Sequence, residues 1–174
     1  TSRDIMQMGL GGLLKEISDR PQPRMMQSAK NKMKKINKVS AIILAAGQSR
    51  RMGKENKLLM KIDDCPMVEH VVKILTKSCL DKIIVVTGFE SEQIKSTLNG
   101  YDVMFIDNPD YEQGLSTSLV AGLRSVDEMT DAVIICLGDM PMITSTGIKQ
   151  LVDEFNPEGG REICVPTYQG KRGN

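Results

Sequence analysis

Residues 42–57 read Ile-Ile-Leu-Ala-Ala-Gly-Gln-Ser-Arg-Arg-Met-Gly-Lys-Glu-Asn-Lys, so an apolar run passes directly into a loop bounded by glycines. The apolar run begins at Val39 and, apart from Ser40, has the aliphatic composition of a buried strand. The small residues after it let backbone N–H groups approach a ligand, and the loop adds fixed positive charge. This combination predicts a strand followed by a polyphosphate-binding loop. Its cations are Arg50, Arg51, Lys54 and Lys57.

Two common phosphate-binding loops do not match this segment. A Walker loop has four residues between its glycines and then Lys followed by Ser or Thr, whereas five residues separate Gly47 from Gly53, and Glu55 follows Lys54. A dinucleotide fingerprint needs three glycines in Gly-x-Gly-x-x-Gly spacing, and only these two are present. The sequence therefore argues against NAD and FAD as ligands.

Strand-like and helix-like segments alternate along the rest of the chain. This alternation predicts an α/β protein with a three-layer, Rossmann-like architecture and a mostly parallel sheet. A helix is expected from Pro66 at its N1 position, with Met67, Val71, Ile74 and Leu75 as its apolar residues. The other predicted helices are Ser91–Leu98 with Ser91 as its cap, Ser116–Val126 and Thr144–Phe155. The predicted strands are Val39–Leu44, Lys82–Thr87, Asp102–Ile106, Asp131–Leu137 and Glu162–Pro166.

Three polar segments directly follow predicted strands. They are the loop at Gly47, the turn from Asn108 to Gly114, and Asp139. Ligands of parallel sheets bind at the carboxyl ends of the strands, so we expect these segments to share one rim. We also expect Gly138 to leave space for a ligand and the Asp139 carboxylate to bind Mg²⁺, rather than to cap nearby amides.

The pattern Leu-Ala-Ala-Gly-x-Ser-x-Arg-Met-Gly-x-x-x-Lys-Leu-Leu at residues 44–59 resembles the signature of the MobA-like nucleotidyltransferases, and in detail that of the molybdenum cofactor cytidylyltransferases. Residues 65–70 resemble the start of the family's first helix, and residues 114–119 with Gly122 its second nucleotide segment. Residues 137–141 resemble its metal-binding turn, and residues 166–173 its acceptor-side strand and loop. The resemblance covers roughly residues 39–174 and implies the nucleotidyltransferase form of the α/β fold.

The resemblance implies roles for individual residues. Arg51 and Lys57 would bind the β- and γ-phosphates and act in catalysis with Asp139, the Mg²⁺ ligand. Ala46 stands where guanylyl-transferring relatives have Gly, which favours CTP over GTP because a methyl group crowds a purine more than a pyrimidine. A capping role for Ser118 and a surface-loop role for Arg172 remain open alternatives. The nucleotide and acceptor contacts implied are Leu44, Ala45, Ala46, Gly47, Ser49, Gly53, Gly114, Ser118 and Arg172.

The function implied is Mg²⁺-dependent transfer of CMP from CTP to the terminal phosphate of molybdopterin, with release of pyrophosphate. A molybdenum hydroxylase would then be the client for the product. The alternatives are a GTP-dependent guanylyltransferase, transfer to a sugar phosphate or another small phosphorylated acceptor, and a non-catalytic chaperone that binds the cofactor. The joint presence of Arg51, Lys57 and Asp139 argues against the chaperone, which has no need for all three.

Composition argues against other classes of function. The 23 basic and 22 acidic residues give no global field that would recruit nucleic acid or an anionic membrane. No segment has the length and apolarity of a membrane span or the pattern of a signal peptide, and we expect a cytoplasmic protein. The four cysteines are widely spaced and His70 is the only histidine, so neither a zinc site nor a disulfide framework is suggested.

The resemblance does not extend to residues 1–38. Their glycines, prolines and final lysine-rich run predict a tail or linker from an upstream region. Residues 39–174 are the predicted nucleotidyltransferase domain. Because the chain stops at Asn174, in the middle of the motif that begins at residue 166, we expect this domain to be incomplete at its C-terminus.

Overall fold

A parallel sheet forms the centre of the protein, whose computed structural model describes residues 36, 38–48, 56–168 and 171–172. The strands of this part are β1 Val39–Ala45, β2 Lys61–Ile62, β3 Cys65–Pro66, β4 Lys82–Thr87, β5 Met104–Asp107, β6 Ala132–Leu137, β7 Thr167–Tyr168 and β8 Lys171–Arg172. Its α-helices are α1 Met67–Thr76, α2 Ser91–Thr97, α3 Leu115–Arg124 and α4 Ser145–Glu154. Single 3-10 turns cover Lys57–Leu59, Tyr111–Gln113 and Pro157–Gly159.

Among the described residues, the central sheet has four strands in the order β5-β4-β1-β6. All of its neighbouring strands are parallel, and Ile43 of β1 lies between Val85 of β4 and Cys136 of β6. Every residue of β1 is buried, which explains its continuous apolar run, because a strand covered on both faces has no need for alternating polar residues. The predicted α/β fold with a mostly parallel sheet is confirmed.

Helices cover both faces of the sheet and make three layers. On one face, Ile43 and Val85 pack with Val71 of α1, Ile94 of α2 and Ile148 of α4. On the other face, Ile42, Leu44, Ile84 and Val86 pack with Ala121 and Leu123 of α3.

The helix α3 lies unusually close to the sheet at Gly122. A Cβ atom at this position would stand 2.6 Å from Cγ2 of Ile42 and 3.0 Å from Cγ2 of Val86. Real Cβ atoms do not approach other carbon atoms that closely, so a larger residue would push the helix outward. Glycine therefore sets the depth of α3, and with it the position of the N-terminal turn of this helix at the sheet's carboxyl edge.

A short antiparallel hairpin, β2–β3, was not predicted. Its turn contains Asp63 and Asp64, whose φ angles of 49° and 61° lie in the left-handed region that aspartate tolerates better than most residues. The Nε2–H of His70 donates to the carbonyl oxygen of Ile62 at 2.7 Å and ties the hairpin to α1. Pro66 is the N-cap residue of α1 rather than its N1 residue.

The predicted strand Glu162–Pro166 is wrong. These residues form no strand, and Ile163 and Val165 are 63% and 41% exposed. A strand needs a partner for its backbone groups, and within the described part of the chain the last pairing before this segment is the isolated bridge between Asn156 and Arg161. The hairpin of β7 and β8 follows instead.

The start of α2 is tied to the sheet through Asp107. Ser91 was expected to cap this helix, but Glu90 is the N-cap residue and Ser91 is the first helical residue. The hydroxyl of Ser91 donates to Oδ1 of Asp107 at 2.6 Å, Nζ of Lys95 lies 2.9 Å from its Oδ2, and the hydroxyl of Thr87 donates to Oδ1 at 2.7 Å. These three donors lower the pKa of the Asp107 carboxyl from its ordinary value of 3.8 to about 2.

Asp107 should therefore give the protein a stability contribution that depends on pH. Because its folded pKa is lowered, the contribution is present above about pH 4 and is lost as the pH falls towards 2. We expect Asp107→Asn to lower the melting temperature at pH 7 and the difference from the wild type to shrink between pH 4 and pH 2. Thermal unfolding followed by circular dichroism measures this. Asp102→Asn, at an exposed position on the approach to β5, is the control, and a difference that does not change with pH would contradict the assignment.

None of the helices within the described residues has the length and apolarity that crossing a membrane requires. All described residues fall within one compact unit, Lys35–Asn174. The predicted tail, residues 1–38, lies outside the described residues except for Ile36 and Lys38.

Candidate active site

A cleft of about 650 Å³ lies at the carboxyl edge of the sheet. The ends of β1 and β6, the 3-10 turn after β5 and the first turn of α3 all contribute to its wall, so the expected common rim is present. Its volume falls in the range of small-molecule sites, about 300–1,000 Å³. The residues that line it are Leu44, Ala46, Gly47, Gln48, Lys57, Leu58, Tyr111, Glu112, Gly114, Leu115, Ser118, Leu137 and Asp139.

An ion pair between Lys57 and Asp139 brings together two of the predicted catalytic residues. Nζ of Lys57 lies 3.2 Å from Oδ2 of Asp139, and the two side chains are 39% and 38% exposed. A pair this exposed contributes little to stability, about 0–1 kcal/mol. Both charged groups therefore face the cleft at small energetic cost and remain accessible to a ligand.

The position of Lys57 depends on the residues beside it. Oδ1 of Asn56 accepts a hydrogen bond from the backbone N–H of Leu58 at 3.1 Å and starts the 3-10 turn that contains Lys57. Leu58 is buried, and a Cβ atom on Gly138 would stand 3.2 Å from its Cδ2. We expected the space beside Gly138 to admit a ligand, but Leu58 occupies it. The packing of Leu58 against Gly138 brings the turn that contains Lys57 next to the end of β6.

Asn56 also carries a buried polar atom that has no hydrogen-bond partner within the described residues. The residue is 5% exposed, and its Nδ2 donates to no acceptor in the described structure. An unpaired buried donor costs about 1–3 kcal/mol. The position directly before Lys57 therefore has a hydrogen-bond donor for which an acceptor, such as a phosphate oxygen, would be a favourable partner.

The cleft contains seven of the predicted site residues, namely Leu44, Ala46, Gly47, Lys57, Gly114, Ser118 and Asp139. Ala45 is not among the cleft residues, because its side chain packs in the core on the opposite side of β1. Arg172 lies in β8, and its side chain is outside the description. Ser49, Arg51 and Gly53 lie outside the described residues, so their predicted roles remain predictions.

Sequence reasoning missed the side chains that the 3-10 turn after β5 contributes to the cleft. Tyr111 and Ala46 both pack against Gly88, since a Cβ atom on Gly88 would stand 2.6 Å from Cβ of Tyr111 and 2.9 Å from Cβ of Ala46. Nε2 of Gln48 donates to Oε1 of Glu112 at 3.0 Å and joins the two sides of the cleft. The turn from Asn108 to Gly114 was expected at the rim, but no sequence pattern showed which of its side chains enter the cleft.

A family model supports what this geometry suggests. The description of that model is "MobA-like NTP transferase domain", and it matches residues 41–174. The chain belongs to this family. The match includes the ends of β1 and β6 and both residues of the ion pair.

Individual relatives agree with this assignment. The bifunctional protein GlmU of Shouchella clausii is 33% identical over 143 residues, which are 77% of this chain and 31% of that protein. The chain thus spans about a third of the length of that relative. A nucleotidyl transferase from Methanothermobacter thermautotrophicus has 28% identity and a TM-score of 0.59, with 68% of this chain and 58% of that chain covered.

A further solved structure supports the fold alone. Rv0371c from Mycobacterium tuberculosis has 23% identity and a TM-score of 0.66, and the match covers 80% of this chain and 69% of that chain.

Gly88 should be essential for the position of Tyr111 in the cleft. We expect Gly88→Ala to displace Tyr111 and to destabilise the fold by about 1–3 kcal/mol, because the new methyl group would overlap both Tyr111 and Ala46. Affinity for a nucleoside triphosphate, measured by calorimetry, should fall as well. Ile83→Val, a core change near the other end of β4, is the control and should cost about 0.5–1.5 kcal/mol without a change in affinity. Equal affinity in both variants would show that Tyr111 does not shape the binding site.

Proposed function

We propose that this protein is a Mg²⁺-dependent nucleotidyltransferase that moves CMP from CTP to the terminal phosphate of molybdopterin and releases pyrophosphate. The observation that carries the proposal is the ion pair of Lys57 and Asp139, 3.2 Å apart in a cleft at the carboxyl edge of a parallel sheet. A phosphate-binding cation and a metal-binding carboxylate at one point are the two charges that this chemistry needs. Membership in the NTP transferase domain family supports the same class of reaction.

The proposed reaction needs no nucleophilic side chain. A phosphate oxygen of the acceptor attacks the α-phosphorus of CTP, the bond from that phosphorus to the bridging oxygen breaks, and pyrophosphate leaves. Negative charge accumulates on phosphate oxygens during this step, so alignment and charge neutralisation provide the catalysis. Lys57 would stabilise the leaving pyrophosphate together with Arg51, as the family resemblance implies. Nδ2 of Asn56, which has no acceptor among the described residues, offers a further donor beside Lys57.

The residues present fit a magnesium ion that is shared with the substrate. Mg²⁺ prefers oxygen ligands and is commonly bound by one or two carboxylates plus phosphate oxygens. Asp139 offers such a carboxylate, and no group of three or more His, Cys, Asp or Glu side chains suited to an all-protein metal site occurs among the described residues. Bound Mg²⁺ would neutralise phosphate charge. One solved structure of Rv0371c is a complex with manganese, which supports a divalent metal in this fold.

The choice of CTP rests on Ala46 and the choice of acceptor on the sequence motifs. Ala46 lines the cleft but is only 3% exposed, so its methyl group presents a small surface to a base. Molybdopterin as acceptor, Arg172 as the residue that binds its phosphate and a molybdenum hydroxylase as client follow from the resemblance of residues 44–59 and 166–173 to the cytidylyltransferases. A cytoplasmic location is part of the proposal as the expectation drawn from the sequence.

The test of the proposed function is pyrophosphate release in the presence of Mg²⁺ and molybdenum-loaded molybdopterin, with CTP, GTP and ATP compared. We expect release with CTP, reduced on the order of 10²- to 10³-fold by Asp139→Asn, because this change removes the charge that holds the metal. Asp153→Asn, at an exposed position on α4, is the matched control and should keep full activity. Full activity of Asp139→Asn would overturn the metal role of this residue. A folded wild type that is silent with all three nucleotides would favour another acceptor or the chaperone.

Ala46 gives a second, independent test of donor choice. We expect Ala46→Gly to shift the ratio of the kcat/KM values for CTP and GTP towards GTP by about ten-fold. This is the low end of the discrimination that one methyl group provides, because little of the Ala46 methyl group is exposed in the cleft. Steady-state kinetics with both nucleotides measure the ratio. An unchanged ratio would remove Ala46 as the determinant of base selection while leaving nucleotidyl transfer intact.

A further inference from the structure

Asn108 is a buried polar residue directly after β5, at the start of the turn that leads to α3. It is 4% exposed, and its side-chain amide takes part in three hydrogen bonds. The sequence predicted for this residue only a place in a turn. Its bonds instead connect the end of β5, a strand at the edge of the sheet, to Ser118, a residue that lines the cleft.

The orientation of the Asn108 amide follows from its partners. The backbone N–H of Asp110, which can only donate, lies 3.0 Å from Oδ1. The oxygen of the amide therefore points to Asp110, and Nδ2 points to the hydroxyl groups of Thr117 and Ser118, each 3.0 Å away. The two hydrogens of Nδ2 serve these two hydroxyl groups.

The bonds of Thr117 are consistent with this orientation. Its hydroxyl lies 3.0 Å from the carbonyl oxygen of Asp110 and 2.9 Å from that of Gly114. Carbonyl oxygens only accept, so the hydroxyl hydrogen of Thr117 is directed to them, and its oxygen can only accept from Asn108. Thr117 is thus fully used in holding the loop before α3.

Ser118 differs from Thr117 in one respect. Its oxygen also accepts from Asn108, but its hydrogen has no acceptor among the described residues. Because the amide hydrogen already occupies one lone pair of the hydroxyl oxygen, the remaining hydrogen is left for a partner in the cleft. Ser118 is therefore prepared to donate a hydrogen bond.

We propose that Asn108 is a positioning residue that fixes the hydroxyl of Ser118 as a hydrogen-bond donor to an acceptor oxygen of the bound nucleoside triphosphate. This inference rests on the proposed function, because it assumes that a nucleotide occupies the cleft. A hydroxyl oriented before binding loses less rotational freedom when the ligand arrives, and it favours an acceptor over a donor at that place. Phosphate oxygens and the carbonyl oxygen of cytosine are both acceptors of this kind.

The test is a double-mutant cycle on nucleotide affinity. Ser118→Ala removes the donor, and Asn108→Asp keeps the shape of the side chain but offers an acceptor to Ser118, so that the serine hydrogen turns away from the cleft. Calorimetry with CTP and Mg²⁺, in the absence of an acceptor substrate, gives the dissociation constants. We expect each single change to weaken binding about ten-fold and the double variant to bind no more weakly than the single variants. Asn99→Asp, which adds the same charge at an exposed position, is the control and should bind as the wild type does.

Two further readouts separate positioning from loss of structure. In turnover, KM for CTP should rise in both single variants while kcat stays within about two-fold. A purely structural role of Asn108 predicts losses that add up in the double variant, and that outcome would overturn the proposal. If Asn108→Asp fails to fold, an unchanged CTP affinity of Ser118→Ala overturns it by itself.

The same calorimetry, repeated with inorganic triphosphate in place of CTP, identifies the acceptor atom. It also separates this inference from the proposed function. An equal loss of affinity for CTP and inorganic triphosphate would place the acceptor on a phosphate, and a loss confined to CTP would place it on the nucleoside. If the wild type binds CTP and the variants Ser118→Ala and Asn108→Asp bind it equally well, only the role of Asn108 is overturned. A folded wild type that binds no nucleoside triphosphate overturns the proposed function, and this inference with it.

Discussion

The structure depends on the complete burial of β1 between β4 and β6. Every residue from Val39 to Ala45 is buried, with α1 and α2 against one face of the sheet and α3 against the other. Because the four strands described for this sheet are all parallel, their carboxyl ends lie at the same edge, and the chain leaves β1 at the cleft. The position of the candidate site is thus a consequence of how the core is covered.

Small residues let the other segments come close to this edge. Gly122 allows α3 to lie against Ile42, and Gly138 leaves room for Leu58 beside the end of β6. The first contact brings Ser118 to the cleft, and the second brings Lys57 to Asp139. Tight packing of apolar side chains therefore places the polar groups, and substitutions of these glycines should affect the site as well as stability.

The sequence predicted the central sheet well, because buried parallel strands are continuous apolar runs that are easily recognised. It was wrong where pairing or capping depends on distant residues. The segment Glu162–Pro166 has strand-like composition but no strand pairing. Ser91 looks like a helix cap, but its hydroxyl bonds to Asp107, sixteen positions later in the chain. The β2–β3 hairpin was missed because its strands have only two residues each.

By itself, the sequence determined the α/β class and the family, and it predicted Lys57 and Asp139 as a cation and a carboxylate of the candidate site, because these depend on local composition and motif. Only the tertiary structure decided that these two charges, 82 positions apart, stand 3.2 Å from each other. It likewise showed that Nδ2 of Asn108 donates to the hydroxyl oxygen of Ser118 and that Tyr111 packs against Gly88. Such contacts arise from the packing of separate elements, and a side chain's hydrogen-bond partners are not encoded in its local sequence.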